Sequence, residues 1–136
     1  MNIRLIKGLG YAGLLPFAAA AIGHLLGSPT AQIGVVYGAL ILSFLGGIQW
    51  GAGLRGHVDQ SDPTHRIAVS VVPSLIGFTA LLLPPFAVFI LLGGFAGQWV
   101  YDRRHADSVD WPEWFLQLRG HLSLGAMIGL ALLLVP

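Results

Sequence analysis

The chain contains no cysteine, which excludes disulfides, thiol nucleophiles, thiolate-bound zinc and cysteine-ligated iron–sulfur clusters. Charge is almost as scarce: 10% of residues are charged, against about a quarter in ordinary globular domains. No basic run interleaved with aromatic residues is present, so nucleic acid has no support as a partner. There is no Walker loop, no GxSxG serine and no HExxH pair. The long apolar stretches hold no Asp or Glu. Proton relays and cation coupling are thereby left without the buried acid they require.

What remains is apolar. Of 136 residues, 55% are hydrophobic, too much for a soluble domain of this size to hide. About 20 mostly apolar residues cross a bilayer as a helix. Five such stretches are predicted, at 9–26, 31–54, 67–83, 85–101 and 114–135. They nearly exhaust the chain and imply one integral membrane domain over 1–136, an all-α five-helix transmembrane bundle. Arg4 and Lys7 before Leu9–Leu26, with small residues supplied by Ala18–Ala21, resemble a secretory signal. The stretch is long enough to span, so a retained first helix is expected.

Turn chemistry agrees with these limits. Ser28-Pro29 and Asp62-Pro63 each offer an N-cap followed by a proline at the first helical position. Asp110 and Glu113 have capping-box spacing before the last span. Pro84 and Pro85 end the third span and make the turn to the fourth very short, so these two should be antiparallel neighbours.

All seven Lys and Arg residues fall on one side of this arrangement: Arg4, Lys7, Arg55, Arg66, Arg103, Arg104 and Arg119. The acids Asp59, Asp62, Asp102, Asp107, Asp110 and Glu113 lie there too, and the other side has no formal charge. Cytoplasmic loops collect Lys and Arg, which predicts a cytoplasmic N-terminus and an outer C-terminus. Trp50, Trp99, Tyr101, Trp111 and Trp114 form an aromatic belt on the same side.

Nineteen glycines supply small-xxx-small pairs at Gly23/Gly27, Gly34/Gly38, Gly47/Gly51, Gly93/Gly97 and Gly125/Gly129, with Ser70/Ser74 in the third span. Lipid gives helices no hydrophobic reason to associate, so close backbone approach at such pairs must supply the packing. The pairs predict a compact bundle and could leave a glycine face for self-association. A faint repeat joins Gly46-Gly47-Ile48-Gln49-Trp50 to Gly93-Gly94-Phe95-Ala96-Gly97-Gln98-Trp99, and Pro16 to Pro73. It suggests parallel repeats of spans one–two and three–four with a fifth helix added, or else two independent Trp-anchored helix ends.

The polar groups available for a site are few. Gln49 and Gln98 either hydrogen-bond across helices or, with Pro16 and Pro73 loosening nearby backbone, line a polar cavity for a lipid or quinone head group. Arg119 is expected to snorkel to the charged interface or to pair with a loop acid such as Asp102 or Asp110. His24 and His121 sit at opposite ends of their spans, which rules them out as a haem ligand pair. His57, Asp59, Asp62, His65, His105, Asp107 and Asp110 are metal-capable loop side chains without diagnostic spacing, so no metal site is assigned. Arg103 and Arg104 suit anionic lipid head groups.

With these residues in place, the chain resembles the transmembrane protein 69-like family, a domain of unknown function, over nearly its whole length. The resemblance is carried by Gly10-Tyr11-Ala12-Gly13-Leu14-Leu15-Pro16-Phe17, by Tyr37-Gly38-Ala39 through Ser43-Phe44-Leu45-Gly46-Gly47-Ile48-Gln49-Trp50-Gly51, by Pro73-Ser74-Leu75, and by Pro112-Glu113-Trp114-Phe115 leading to Leu118-Arg119 and Leu122-Ser123. It implies a small bacterial inner-membrane or mitochondrial-type protein of about five helices and no particular activity. The family often has His where Gln49 stands, so no imidazole role is carried over to that position. Any site implied by the matching motifs would involve Tyr11, Pro16, Tyr37, Gln49, Trp50, Pro73 and Arg119. Together with Gln98 and His121 these form the candidate polar cavity.

The leading expectation is a non-enzymatic accessory, assembly or lipid-associating bundle, with no catalytic residue and no cofactor. Its expected partners are membrane lipids and either further copies of itself or a larger membrane complex. A small-molecule or ion carrier is the first alternative, motivated by the mid-span prolines and the repeat. A quinone- or haem-associated redox module at the charged face, near Gln49, Trp50, Arg119 and His121, is the second.

Overall fold

A computed structural model of the chain describes residues 1–54, 64–106 and 111–136. Arg55, His57, Asp59, Asp62, Asp107 and Asp110 lie outside the described residues, as does the Asp62-Pro63 cap. The described residues form α1 (Ile3–Ala12), α2 (Leu15–Leu25), α3 (Ala31–Leu54), α4 (Thr64–Val69), α5 (Val72–Leu82), α6 (Ala87–Arg104) and α7 (Glu113–Leu132). A 3-10 turn over Pro84–Phe86 joins α5 to α6. Among the described residues, five helical segments are long and apolar enough to cross a membrane, as the hydropathy pattern predicts: α1 with α2, α3, α4 with α5, α6, and α7.

Two of the five are broken, and proline is the cause each time. Pro16 and Pro73 stand in the first turn of α2 and of α5. A proline has no N–H to give and its ring collides with the preceding turn, so the helix stops and restarts. At the first break the Tyr37 hydroxyl donates to the Gly13 carbonyl at 2.7 Å. At the second, Gly46 packs directly on the backbone: a Cβ placed on Gly46 would lie 2.4 Å from the Ser70 carbonyl oxygen. Both breaks are thus closed by α3.

Helix α3 is the hub of the bundle, touching α2, α4, α5, α6 and α7. Its closest crossing is with α5, where Gly77 leaves 3.0 Å between its own missing Cβ and the Ala39 carbonyl oxygen. Backbone contact of this kind replaces the hydrophobic drive that lipid cannot provide. Phe17, Leu42, Leu91, Phe95 and Leu130 fill the centre. Large apolar side chains such as Leu40, Phe44, Phe78 and Phe89 point outward. In water that surface would be an aggregation hazard; in a bilayer it meets acyl chains.

Several helix ends depart from expectation. Helix α3 starts at Ala31, not Pro29, with the Ile33 and Gly34 amides bonded to the Thr30 carbonyl. The Thr30 hydroxyl turns away from that helix to donate to the Ala20 carbonyl at 2.7 Å. Gly27 ends α2 with φ +87°, the left-handed conformation that glycine adopts without steric cost. Helix α7 starts at Glu113, preceded by Pro112 and without a side-chain cap, so Glu113 occupies the first position, not the third expected of a capping box. Helix α6 continues through Arg104, past the expected end at Tyr101.

That last extension changes the chemistry. It carries Asp102 into the last turn of a spanning helix, where it is buried. The expectation of spans without acids is therefore wrong at Asp102, which is buried, and at Glu113, the exposed first residue of α7. Burial of Arg66 in the short helix α4 is equally unforeseen, since the sequence places it in a charged loop.

Candidate functional site

The buried polar residues gather at the charged end of the bundle around Asp102. Its Oδ2 accepts from Arg119 Nε at 2.9 Å and from Arg119 Nη2 at 2.6 Å. Its Oδ1 accepts from Gln98 Nε2 at 3.1 Å and from Gln49 Nε2. Gln49 Oε1 in turn accepts from Arg66 Nη1, and Arg66 Nη2 donates to the His105 carbonyl at 3.2 Å. Gln49 is thus a two-way amide, donating to a carboxylate and accepting from a guanidinium, as its O and N require.

The five participants arrive on four helices: Gln49 on α3, Arg66 on α4, Gln98 and Asp102 on α6, Arg119 on α7. The spacing of Gln98 and Asp102 puts them one turn apart on the same helical face. The cluster ties four helices together at the charged end of the bundle. Two guanidinium groups meet one carboxylate, leaving one excess positive charge among the described residues. An ion pair of this kind survives burial only when its remaining lone pairs and protons are also satisfied.

Satisfaction is incomplete. Arg66 Nε, Arg119 Nη1 and the Tyr101 hydroxyl are buried and have no hydrogen-bond partner among the described residues. Aromatic faces cover part of this deficit. The Arg66 guanidinium lies 5.6 Å from the Tyr101 ring centre, and that of Arg119 lies 5.8 Å from Phe115. His105 stacks on Tyr101 with centres 4.2 Å apart, and His65 lies 6.0 Å from the same ring. Among the described residues no group of three His, Asp or Glu could hold a metal.

Of the nine residues named for a polar cavity, the fold gathers three: Gln49, Gln98 and Arg119. They form a hydrogen-bonded knot, not the wall of an open polar cavity. Tyr37 and Pro16 belong to the first helix break, Pro73 to the second, all remote from a common space. Trp50 points outward. Tyr11 and His121 pair with each other, hydroxyl to Nδ1 at 2.9 Å, on the exposed side of α1 and α7. His24 bonds the Val135 carbonyl at 2.6 Å at the uncharged end. Arg103 and Arg104 are exposed, with Arg103 5.1 Å from the Trp99 ring centre.

The cluster has little to offer as a catalyst. Asp102 already accepts four hydrogen bonds, two of them from one guanidinium, and a general base needs a lone pair free for the proton it takes. Its evident effect is to fix the mutual positions of α3, α4, α6 and α7. The expected pairing of Arg119 with Asp102 is formed, but sequence reasoning placed Asp102 in a loop and missed its burial, and it missed the burial of Arg66. The available signal for Asp102 was its position four residues after Gln98; for Arg66 no periodicity marked it, because α4 is too short to show one.

The comparisons with known proteins agree with this architecture. The chain is similar to "Transmembrane protein 69" of Xenopus tropicalis, 34% identical over 131 residues, covering 90% of this chain and 50% of that protein. The chain therefore spans about half the length of that relative. No solved structure matches it. The family model described as "Protein of unknown function (DUF3429)" matches residues 3–135, and a match over nearly the whole membrane bundle means that the chain belongs to this family.

Proposed function

We propose that this protein is a non-enzymatic membrane accessory that associates side by side with a second copy of itself or with a larger membrane complex. One observation carries the reading. Gly47/Gly51 on α3 and Gly93/Gly97 on α6 are exposed, and a Cβ added at any of the four would meet nothing within 4 Å. The glycines at 34, 38, 125 and 129, by contrast, are occupied by side chains of neighbouring helices within the bundle. Two small-xxx-small faces are thus left over after the fold has been built, and such faces let helices of separate chains approach closely. A saturated Asp102 and two sealed helix breaks weigh against an enzyme and against an open transport path.

The proposed setting is a bacterial inner or mitochondrial-type membrane, with the N-terminus on the cytoplasmic (or equivalent) side. Support comes from the positive residues of α1, α4, α6 and α7 at one end of the bundle. Arg103 and Arg104 are proposed to touch anionic lipid head groups there, at about 1 kcal/mol each.

The test is native mass spectrometry of protein extracted from its own membrane in mild detergent. A discrete oligomer or a named partner is expected, lost when Gly51→Leu and Gly97→Leu are combined. A lone monomer with no partner recovered overturns the proposal.

A further inference from the structure

A second feature of the bundle is independent of its outward glycine faces. Helix α1 buries none of its residues, so it stands away from α3 instead of closing on it. The space between α1–α2, α3 and α7 is a cavity of about 370 Å³. That is within the range of about 300–1,000 Å³ typical of small-molecule sites. Its walls are almost wholly apolar, with Phe17, Ile48, Phe95 and Leu122 among them. Leu9 and Phe44, 66% and 65% exposed, stand where it opens to the lipid-facing surface.

Among the described residues two polar side chains line it, and both come from α7: Arg119 and Ser123, one turn apart. Arg119 is 5% exposed, and its Nη1 is the donor left over after Nε and Nη2 have taken Asp102. The Phe115 ring that faces this guanidinium lines the same cavity. Arg119 lies toward the charged face, and Ser123 lies deeper. From Ile6 to Phe17 the cavity follows the first span for about 16 Å at 1.5 Å per residue. One leaflet of the hydrocarbon core is about 15 Å deep, half of a core about 30 Å thick.

We infer that the cavity binds a single acyl chain, its carbonyl or carboxylate oxygen accepting from Arg119 Nη1 and its tail running along α1 and α2 to the middle of the membrane. Three facts converge on this occupant. The length is that of one leaflet, the walls apart from Arg119 and Ser123 are apolar, and Arg119 keeps a buried donor without a partner among the described residues, in a cluster with one excess positive charge. An acceptor oxygen satisfies that donor; a purely hydrocarbon ligand leaves it orphaned. The acyl group can belong to a free fatty acid or to an ester-linked lipid, and the test separates them.

Purified protein in mild non-ionic detergent is titrated with palmitate and, separately, with methyl palmitate, and bound chains are counted by native mass spectrometry. One saturable chain per protein is expected. Leu9→Trp, which fills the mouth, and Ser123→Leu, which fills the middle, should each weaken binding at least about tenfold. Arg119→Lys keeps a charge beside Asp102 but removes the planar fork, and should weaken it by about tenfold as well. Preference for palmitate assigns the free acid, and equal binding assigns an ester-linked chain. Absence of saturable binding to the unsubstituted protein overturns the proposal, as does binding unchanged in Leu9→Trp and Ser123→Leu. Loss in those two with Arg119→Lys unaffected overturns the head-group assignment. If Arg119→Lys does not fold, the two cavity-filling variants still decide for or against the site, because both leave the Asp102–Arg119 pair in place.

Discussion

Asp102 is the residue on which the charged end depends. Its carboxylate holds Arg119 directly and reaches Arg66 through Gln49. Asp102→Asn keeps the size of the side chain but leaves two buried guanidinium groups without a counter-charge. Removing one partner of a buried pair costs about 3–5 kcal/mol, so thermal unfolding in detergent should show a loss of that order. Replacing both members, as in Asp102→Leu with Arg119→Leu, should cost clearly less than the sum of the two single changes, since Arg66 is then the one guanidinium of the cluster left without a counter-charge. Equal or greater loss in the double variant would mean that the pair is not the coupled unit its geometry implies. The sequence shows Gln98 and Asp102 at helical spacing, yet whether α6 continues far enough to bury Asp102 is decided by Gln49 and Arg119 arriving from other helices. Arg66 illustrates the limit more sharply. Nothing local distinguishes a loop arginine from one buried under Tyr101 and bonded to a glutamine on a distant helix.

At the level of the helix, the two proline breaks and the glycines opposite them form units. Tyr37 donates to the Gly13 carbonyl beside the first break, so Tyr37→Phe should destabilise the bundle by about 1 kcal/mol while preserving the ring contact with Phe17. A loss indistinguishable from zero would show that water or lipid serves that carbonyl equally well. The second unit gives a sharper contrast between adjacent glycines of one helix. Gly46→Ala drives a methyl group into the Ser70 carbonyl and should cost about 1–3 kcal/mol in thermal unfolding. Gly47→Ala meets open space and should stay within about 0.5 kcal/mol of the parent, helped by the better helix propensity of alanine. The prolines were readable as interruptions and the glycines as packing residues. Which glycine of a run faces a neighbour and which faces lipid was not readable, because helices with apolar residues all round carry no moment to set their rotation.

For the whole molecule, five antiparallel crossings put both Arg4 and the start of α7 at the charged end and the C-terminus at the other. A reporter that works only outside the cytoplasm, fused after Pro136, should be active; one that works only inside should be silent. The reverse result would mean an inverted bundle or a miscounted crossing. The absence of cysteine makes the companion experiment clean, since a single introduced thiol at Thr30 or at Asn2 can be labelled from either side without background.

Composition and pattern alone determined that this chain is a five-helix membrane bundle, that its charges share one end, and that proline interrupts two of its crossings. Those properties follow from transfer of apolar residues out of water and from local backbone chemistry, and both act on residues close together in the sequence. Tertiary structure decided the rest. It buried Asp102, Arg66 and Arg119 in one cluster, spent some glycine pairs on packing and left others outward, and opened a cavity where α1 fails to meet α3. These outcomes turn on the rotation of each helix about its axis and on contacts between residues far apart along the chain. In a bilayer the hydrophobic effect does not select that rotation, so it is set by close packing and by a few buried hydrogen bonds that exist only once the helices have come together.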